Sequence, residues 1–124
     1  MTYVLVAIGG AAGSLVRYIL GKFISEKSNN TFPIGTFIIN ITGAILLGIV
    51  STVGVSNNMI LLLADGFLGA YTTFSTFMYE GFNLFKEKEN LNAFIYILCS
   101  LVLGIVGYYL GTKIGIIVRH LNCC

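Results

Sequence analysis

The sequence predicts an all-α membrane protein built from four transmembrane helices. Of its 124 residues, 56% are hydrophobic and 10% are charged, whereas about 25% of the residues in an average soluble domain are charged. The mean hydropathy is +0.91, and the charged residues fall mainly between long apolar runs. A soluble protein of this length would need a polar surface, so we expect the apolar exterior to face the lipid of the cell membrane.

Four apolar runs are long enough to cross the bilayer, because a helix spans about 30 Å of hydrocarbon in roughly 20 residues. The predicted helices, numbered one to four, cover about residues 3–20, 34–53, 59–82 and 91–118. The last of them is expected to be long or tilted. The connecting segments are too short to hold another domain, so one transmembrane domain over residues 1–124 is expected.

Helix one could be mistaken for a signal peptide, but it has no basic region before its apolar core. Arg17 also lies near its end, where a cleavage site would be expected. Gly9 and Gly13 have the four-residue spacing that lets transmembrane helices pack closely. Arg17 is close enough to the helix end for its guanidinium to reach the headgroups, so we expect a structural or vestibule role for it.

Helices two and four carry polar residues that lipid alone would not favour. Asn40 in helix two must find a partner, so it either joins two helices or presents its N–H groups to a permeating anion. Tyr96 and Ser100 in helix four lie one turn apart on one face, although Tyr96 could equally be a headgroup anchor. Small residues at close-packing intervals predict an oligomer; they are Ala44, Gly48, Ser100, Gly104, Gly107, Gly111 and Gly115.

Helix three is predicted to break near the middle of the membrane. Gly66 and Gly69 precede four hydroxyl residues among positions 72–76, and glycine and β-branched residues weaken helix propensity. A break at that depth is tolerated only where it lines a cavity or is buried in protein. Its unpaired carbonyls would suit a small cation and its unpaired amides an anion. The alternative is an intact helix whose hydroxyls bond to carbonyls one turn earlier.

Arg17, Asp65 and Glu80 are ionisable residues within or at the margins of the predicted helices. Ionisable groups at such depths are functional or paired by default. Glu80 could pair with a hydroxyl or with Arg17. Asp65 could lower the affinity of a pore for anions, be protonated, or pair with Arg17.

The composition disfavours several other classes of site. A net charge of +2, without a basic patch interleaved with aromatic residues, argues against a nucleic-acid partner. Three cysteines and one histidine supply neither an ordered Cys/His metal site nor an even disulfide framework. Cys99 is expected to be a small packing residue, and the Cys123–Cys124 tail receives no function.

Three motifs stand out along the chain. They are Gly9-Gly10-x-x-Gly13-Ser14-x-x-Arg17-Tyr18, then Pro33-x-Gly35-Thr36-x-x-x-Asn40-x-x-Gly43, and then Gly66-x-x-Gly69-Ala70-x-Thr72-Thr73-Phe74-Ser75-Thr76-Phe77-x-x-Glu80. Together they closely resemble the Fluc (CrcB-like) fluoride channels, over residues 9 to about 107. The third motif is the most specific, because packing gives no reason for its hydroxyl and aromatic run in mid-membrane. An acid at Asp65 and the region after about Lys113 lie outside the family pattern.

The resemblance implies a passive, fluoride-selective channel that exports fluoride from the cell, not an enzyme. It implies an antiparallel dimer of the dual-topology type, with two pores and a structural sodium ion at its centre. The backbone carbonyls of Gly69 and Thr72 from both subunits would hold that ion. By motif position, the fluoride pore would be lined by Asn40, Phe74, Phe77, Tyr96, Ser100, Thr36 and Glu80.

Two other functions compete with the channel. A small proton-coupled multidrug-type transporter also has four helices and pairs antiparallel, but it depends on a glutamate in helix one, which has no acid here. A non-conducting packing subunit would need no ordered polar stripe. The channel itself could be a homodimer or one subunit of a heterodimer. Basic residues modestly favour an external amino terminus, five against two: Arg17, Lys22, Lys27, Lys86 and Lys88 against Lys113 and Arg119.

Overall fold

The computed structural model describes residues 1–28 and 32–123. Four helices within these ranges are long and apolar enough to cross a membrane: Thr2–Lys27, Ile34–Thr52, Asn57–Lys86 and Asn90–Asn122. They are helices one to four, and they confirm the predicted all-α architecture of a multi-pass membrane protein. Asn29 and Asn30 of the first connection and Cys124 of the terminal cysteine pair lie outside the described residues.

Helix three is broken, as its sequence predicts. Its first part, helix 3a, runs over residues 57–71 and its second part, helix 3b, is Ser75–Lys86. Between them Thr72 has an extended backbone, with φ −81° and ψ 158°. The alternative of an intact helix is therefore wrong, although the Thr72 hydroxyl does bond to the Leu68 carbonyl oxygen, 2.9 Å away.

Most of helix 3a is a π-helix, Leu61–Leu68, between the α-helical turns Asn57–Ile60 and Gly69–Tyr71. Helix one packs against it through glycines. A Cβ atom at Gly9 would collide with the Leu62 carbonyl oxygen, and one at Gly13 with the Phe67 carbonyl oxygen. The two helix backbones are therefore in direct contact here. This is possible only because the glycines have no side chains.

Helices two and four approach each other in the same way. A Cβ atom at Gly48 would strike the Tyr108 carbonyl oxygen, and one at Gly111 the Ile45 carbonyl oxygen. The Thr52 hydroxyl also lies 3.2 Å from the Thr112 carbonyl oxygen across this contact. Helix four has 33 residues, which is about 50 Å at 1.5 Å per residue and exceeds the hydrocarbon thickness.

The buried apolar side chains form two clusters on either side of the break. Ile39, Leu68 and Tyr71 join helix two to helix 3a. Phe77, Leu84, Ala93 and Tyr96 join helix 3b to helix four. The break thus lies where one packed unit ends and the other begins.

We predict that Gly111→Ala destabilises the protein, because the new methyl group meets the backbone of helix two and neither helix can move away without losing the contact. Overpacking of this kind costs about 1–3 kcal/mol. Thermal unfolding of the purified protein in detergent, followed by circular dichroism, should show a clear fall in Tm. Gly104→Ala is the matched control on the same helix, since nothing lies within 4 Å of its added Cβ. Equal Tm values for the two variants would contradict the backbone contact.

Candidate functional site

The break in helix three borders a cavity of about 260 Å³ between helices two, three and four. Its lining consists of Asn40, Thr72, Thr73, Phe74, Phe77, Ser100 and Leu101. Four of the seven residues predicted to line a pore, Asn40, Phe74, Phe77 and Ser100, are therefore brought together. Leu101 was not predicted, since nothing in the local sequence pattern distinguishes it.

Asn40 pairs with the backbone of the break. Its Nδ2 donates to the Thr73 carbonyl oxygen and its Oδ1 accepts from the Thr73 N–H, each over 2.9 Å. These two bonds fix which way the amide is turned, because the carbonyl needs a donor and the N–H an acceptor. Asn40 thus joins two helices, and the second hydrogen on Nδ2 remains for the cavity that Asn40 lines.

The backbone carbonyls of Gly69 and Thr72 lose their usual partners at the break. In an unbroken helix the Gly69 carbonyl would accept from the Thr73 N–H and the Thr72 carbonyl from the Thr76 N–H. Instead, the Thr73 N–H donates to Asn40, and the Thr76 N–H donates to the Thr73 hydroxyl oxygen, 3.3 Å away. Both carbonyls that the resemblance assigns to a cation have thus lost their helical donors.

Gly69 and Thr72 lie along a groove on the outer side of helices two and three. The groove has a volume of about 510 Å³, and Asp65 is the charged residue in its lining. Gly69 and Asp65 are both exposed in the single chain. Arg17 lines a different cavity, of about 340 Å³, together with Thr36, Thr73 and other residues. The structure thus places Arg17 and Asp65 in separate cavities.

Ser100 lines the first cavity and carries a buried hydroxyl. Its Oγ atom is buried and has no hydrogen-bond partner among the residues that the structure describes. A buried polar group that stays unpaired costs about 1–3 kcal/mol. A polar ligand or a water molecule in the cavity can pair with this hydroxyl only after the Ser100 side chain turns towards it.

The two predicted phenylalanines occupy different environments. Phe77 is 6% exposed and lies against Tyr96, with ring centroids 5.2 Å apart. Phe74 is 74% exposed and precedes the first turn of helix 3b, and its ring lies 6.1 Å from that of Phe77. Phe77 therefore forms a buried part of the cavity wall. Phe74 forms a part of the wall that is exposed on the outer face of the chain.

The remaining predicted residues form a second polar cluster beyond Phe77. The Thr36 hydroxyl donates to Glu80 Oε1 over 3.0 Å, and the Tyr96 hydroxyl donates to Glu80 Oε2 over 3.2 Å. Hydroxyl groups from helices two and four thus hold Glu80. A hydroxyl was one of the two partners predicted for Glu80, and Arg17 was the other. The ring of Tyr96 is fully buried, so the alternative of a headgroup anchor is wrong.

The backbone of Thr73 and the π-helix were missed by sequence reasoning. The amide of Asn40 indicated that this side chain needs a hydrogen-bond partner within the membrane. The amino-acid pattern does not say which group is the partner. Nothing in residues 61–68 marks a π-helix, because its hydrophobic residues fit an α-helix as well.

Comparison with known proteins identifies relatives over nearly the whole chain. The family described as CrcB-like protein, Camphor Resistance (CrcB), matches residues 4–112. A Clostridium acetobutylicum protein named fluoride-specific ion channel FluC 2 is 63% identical over 115 residues, which are 93% of this chain and 98% of the relative. A Bacillus cereus protein with the same name is 42% identical over 115 residues, with the same coverage. A Hydrogenobaculum protein named fluoride-specific ion channel FluC is 44% identical over 120 residues, again 93% and 98% of the two chains.

We predict that Thr36→Val and Tyr96→Phe each destabilise the protein by about 1–2 kcal/mol, because each leaves one carboxylate oxygen of Glu80 without its donor. The double variant should lose less than the sum of the two, since both hydroxyls serve one carboxylate. Thermal unfolding of the parent, the two single variants and the double variant gives the coupling free energy between the two hydroxyls. Tyr79→Phe is the control, because Tyr79 is 67% exposed on the same helix as Glu80; additive losses would show that the three residues do not act together.

Proposed function

Because this chain belongs to the family of CrcB-like proteins, we propose that it is a channel that conducts fluoride passively across the membrane. The three relatives described above are named as fluoride-specific ion channels, which favours a channel over a multidrug-type transporter or an enzyme. The structural observation that carries the proposal is the cavity at the break, whose lining combines Asn40, Thr73 and Ser100 with no charged side chain.

Uncharged donors suit fluoride. The ion is small and strongly hydrated, so a selective path has to replace its water with several hydrogen-bond donors in a space too small for larger anions. A fixed ammonium or guanidinium group in the pathway would bind the anion too tightly to release it. The cavity lining includes no charged side chain, and its amide and hydroxyl groups supply donors of moderate strength.

The pathway continues, in this proposal, past Phe77 to the cluster of Thr36, Glu80 and Tyr96. The edge of an aromatic ring is electropositive, so the rings of Phe74 and Phe77 can face an anion with their C–H edges. At the cluster, fluoride has to compete with the Glu80 carboxylate for the hydroxyl hydrogens of Thr36 and Tyr96. That competition keeps the binding weak, which lets the ion leave.

The functional unit in this proposal is an antiparallel dimer with two pores, formed by two copies of the chain or by the chain and a related subunit. Support comes from Phe74 and Gly69, which are exposed in the single chain although one lines the cavity and the other the groove. A second subunit would cover both. Arg17 keeps a structural or vestibule role in the proposal, since it lines the cavity next to Thr36.

A sodium ion at the dimer centre, with a structural role, is part of the same proposal. Hard cations prefer oxygen ligands, and the Gly69 and Thr72 carbonyls have had their helical donors turned to Asn40 and to the Thr73 hydroxyl. Two carbonyls from each of two subunits would supply four oxygens. The bound ion would balance the partial negative charge of these carbonyls at the centre of the interface.

We expect liposomes that contain the purified protein to release fluoride rapidly and chloride far more slowly, because the donors and the narrow lining favour the smaller anion. A fluoride electrode and a chloride electrode measure the two effluxes, and protein-free liposomes give the background. Release without a proton gradient would support passive conduction. Equal rates of fluoride and chloride efflux would contradict the proposal.

Phe77→Ile tests the ring edge. The substitution keeps the residue apolar but removes the electropositive C–H groups, so fluoride efflux should fall by about tenfold or more while the dimer still assembles. Leu62→Ile in helix 3a is the control, because Leu62 does not line the cavity and a swap of similar volume is tolerated. Size-exclusion chromatography checks assembly. A normally assembled Phe77→Ile variant with the parent rate would reduce Phe77 to a packing residue.

A further inference from the structure

Helix two touches three successive residues at the end of helix 3a and in the break. The Asn40 amide pairs with the Thr73 backbone. The hydroxyl oxygens of Thr42 and Tyr71 share a hydrogen bond over 2.9 Å. Gly43 lies against the side chain of Thr72. We call Asn40, Thr42 and Gly43 the cradle.

We propose that the cradle fixes the backbone conformation of residues 71–73, so that its three members are positioning residues for the break. A chain that leaves a helix inside a membrane needs new partners for its polar groups, or it returns to the continuous helix. The cradle supplies these partners at Tyr71 and Thr73. Its third member leaves room for the side chain that the extended Thr72 directs at helix two.

The hydroxyl of Thr42 is a rigid partner for Tyr71. Its oxygen lies 2.8 Å from the Ile38 carbonyl oxygen and 3.0 Å from that of Ile39, within its own helix. This anchoring restricts the side chain to one rotamer, so the Tyr71 hydroxyl meets an oxygen in a fixed place. The ring of Tyr71 is itself buried, with 4% exposure. The end of helix 3a is thereby held just before the break.

Gly43 is required by a single contact. A Cβ atom built there would collide with Cγ2 of Thr72, whereas the nearest atoms of the Tyr71 ring would be at ordinary distances of 3.4 and 3.6 Å. A methyl group at position 43 would therefore displace Thr72, because a rotation of its side chain would break the bond between its hydroxyl and the Leu68 carbonyl oxygen. Serine at position 72 keeps the hydroxyl and lacks the methyl group that would be struck. Gly43→Ala in helix two thus creates the clash, and Thr72→Ser in helix three removes it.

The position of Thr72 matters for both parts of the proposed channel. Its carbonyl is one of the two assigned to the central cation, and its side chain lines the cavity that holds Asn40 and Ser100. A displaced Thr72 should therefore alter conduction, a consequence that rests on the proposed function. The conformation of the break itself does not depend on what the protein conducts.

The decisive experiment compares Gly43→Ala in two backgrounds, the parent and Thr72→Ser. In the parent, Gly43→Ala should lower fluoride efflux from liposomes by about tenfold and reduce the fluoride-to-chloride ratio, since overpacking shifts the backbone. In the Thr72→Ser background it should change efflux less than about twofold, because the struck methyl group is absent. Hydrogen–deuterium exchange of peptides that cover residues 69–76 should rise in Gly43→Ala and return in the double variant to the level of Thr72→Ser.

An equal loss in both backgrounds would overturn the assigned contact, and so would parent-like exchange and efflux in Gly43→Ala. Gly104→Ala, which meets nothing within 4 Å, controls for the loss of a glycine in a membrane helix. Should the parent itself not conduct fluoride, the proposed function fails, while hydrogen exchange still decides on the cradle.

Thr42→Val and Tyr71→Phe test the second member with little change of volume in the contact. Each removes one partner of the same hydrogen bond, so each should raise exchange at residues 69–76 by a similar factor. The double variant should add nothing further. Additive effects on exchange, or no effect from either substitution, would exclude Thr42 from the cradle.

Discussion

A backbone group that is unpaired in hydrocarbon costs several kcal/mol, and the break in helix three depends on how that cost is avoided. Asn40 behaves as a peptide group placed beside the chain, since it gives Thr73 one donor and one acceptor. The Thr73 hydroxyl receives the N–H of Thr76 at the start of helix 3b. The helix can therefore stop and restart within the membrane only because these side chains stand where they do.

The same exchange of hydrogen-bond partners affects the polar groups on two sides of the break, at the groove and at the cavity. Donors that would have served the carbonyls of Gly69 and Thr72 are used by side chains, which leaves acceptor oxygens towards the outer groove. On the other side, Asn40 and Ser100 line a cavity that has no charged side chain. One interruption of a helix thus changes the polar groups that line both the groove and the cavity.

Close helix packing is what brings the partners into reach. Gly9 and Gly13 let helix one lie directly on the π-helix, and Gly48 and Gly111 let helix two lie directly on helix four. With the outer helices fixed in this way, helix two faces the break on one side and helix four on the other. The residues from three helices that meet around Glu80 are a result of the same arrangement.

The sequence by itself determined the features that depend on local chemistry. Hydropathy defined the four spans, and the glycines and hydroxyl residues from Gly66 to Thr76 located the break, because helix propensity is a property of neighbouring residues. Tertiary structure alone decided that Asn40 pairs with the Thr73 backbone, that Glu80 is shared by Thr36 and Tyr96, and that residues 61–68 wind as a π-helix. These partners lie up to 44 residues apart, and a hydrogen bond over such a separation is set by the approach of whole helices, which no local pattern encodes.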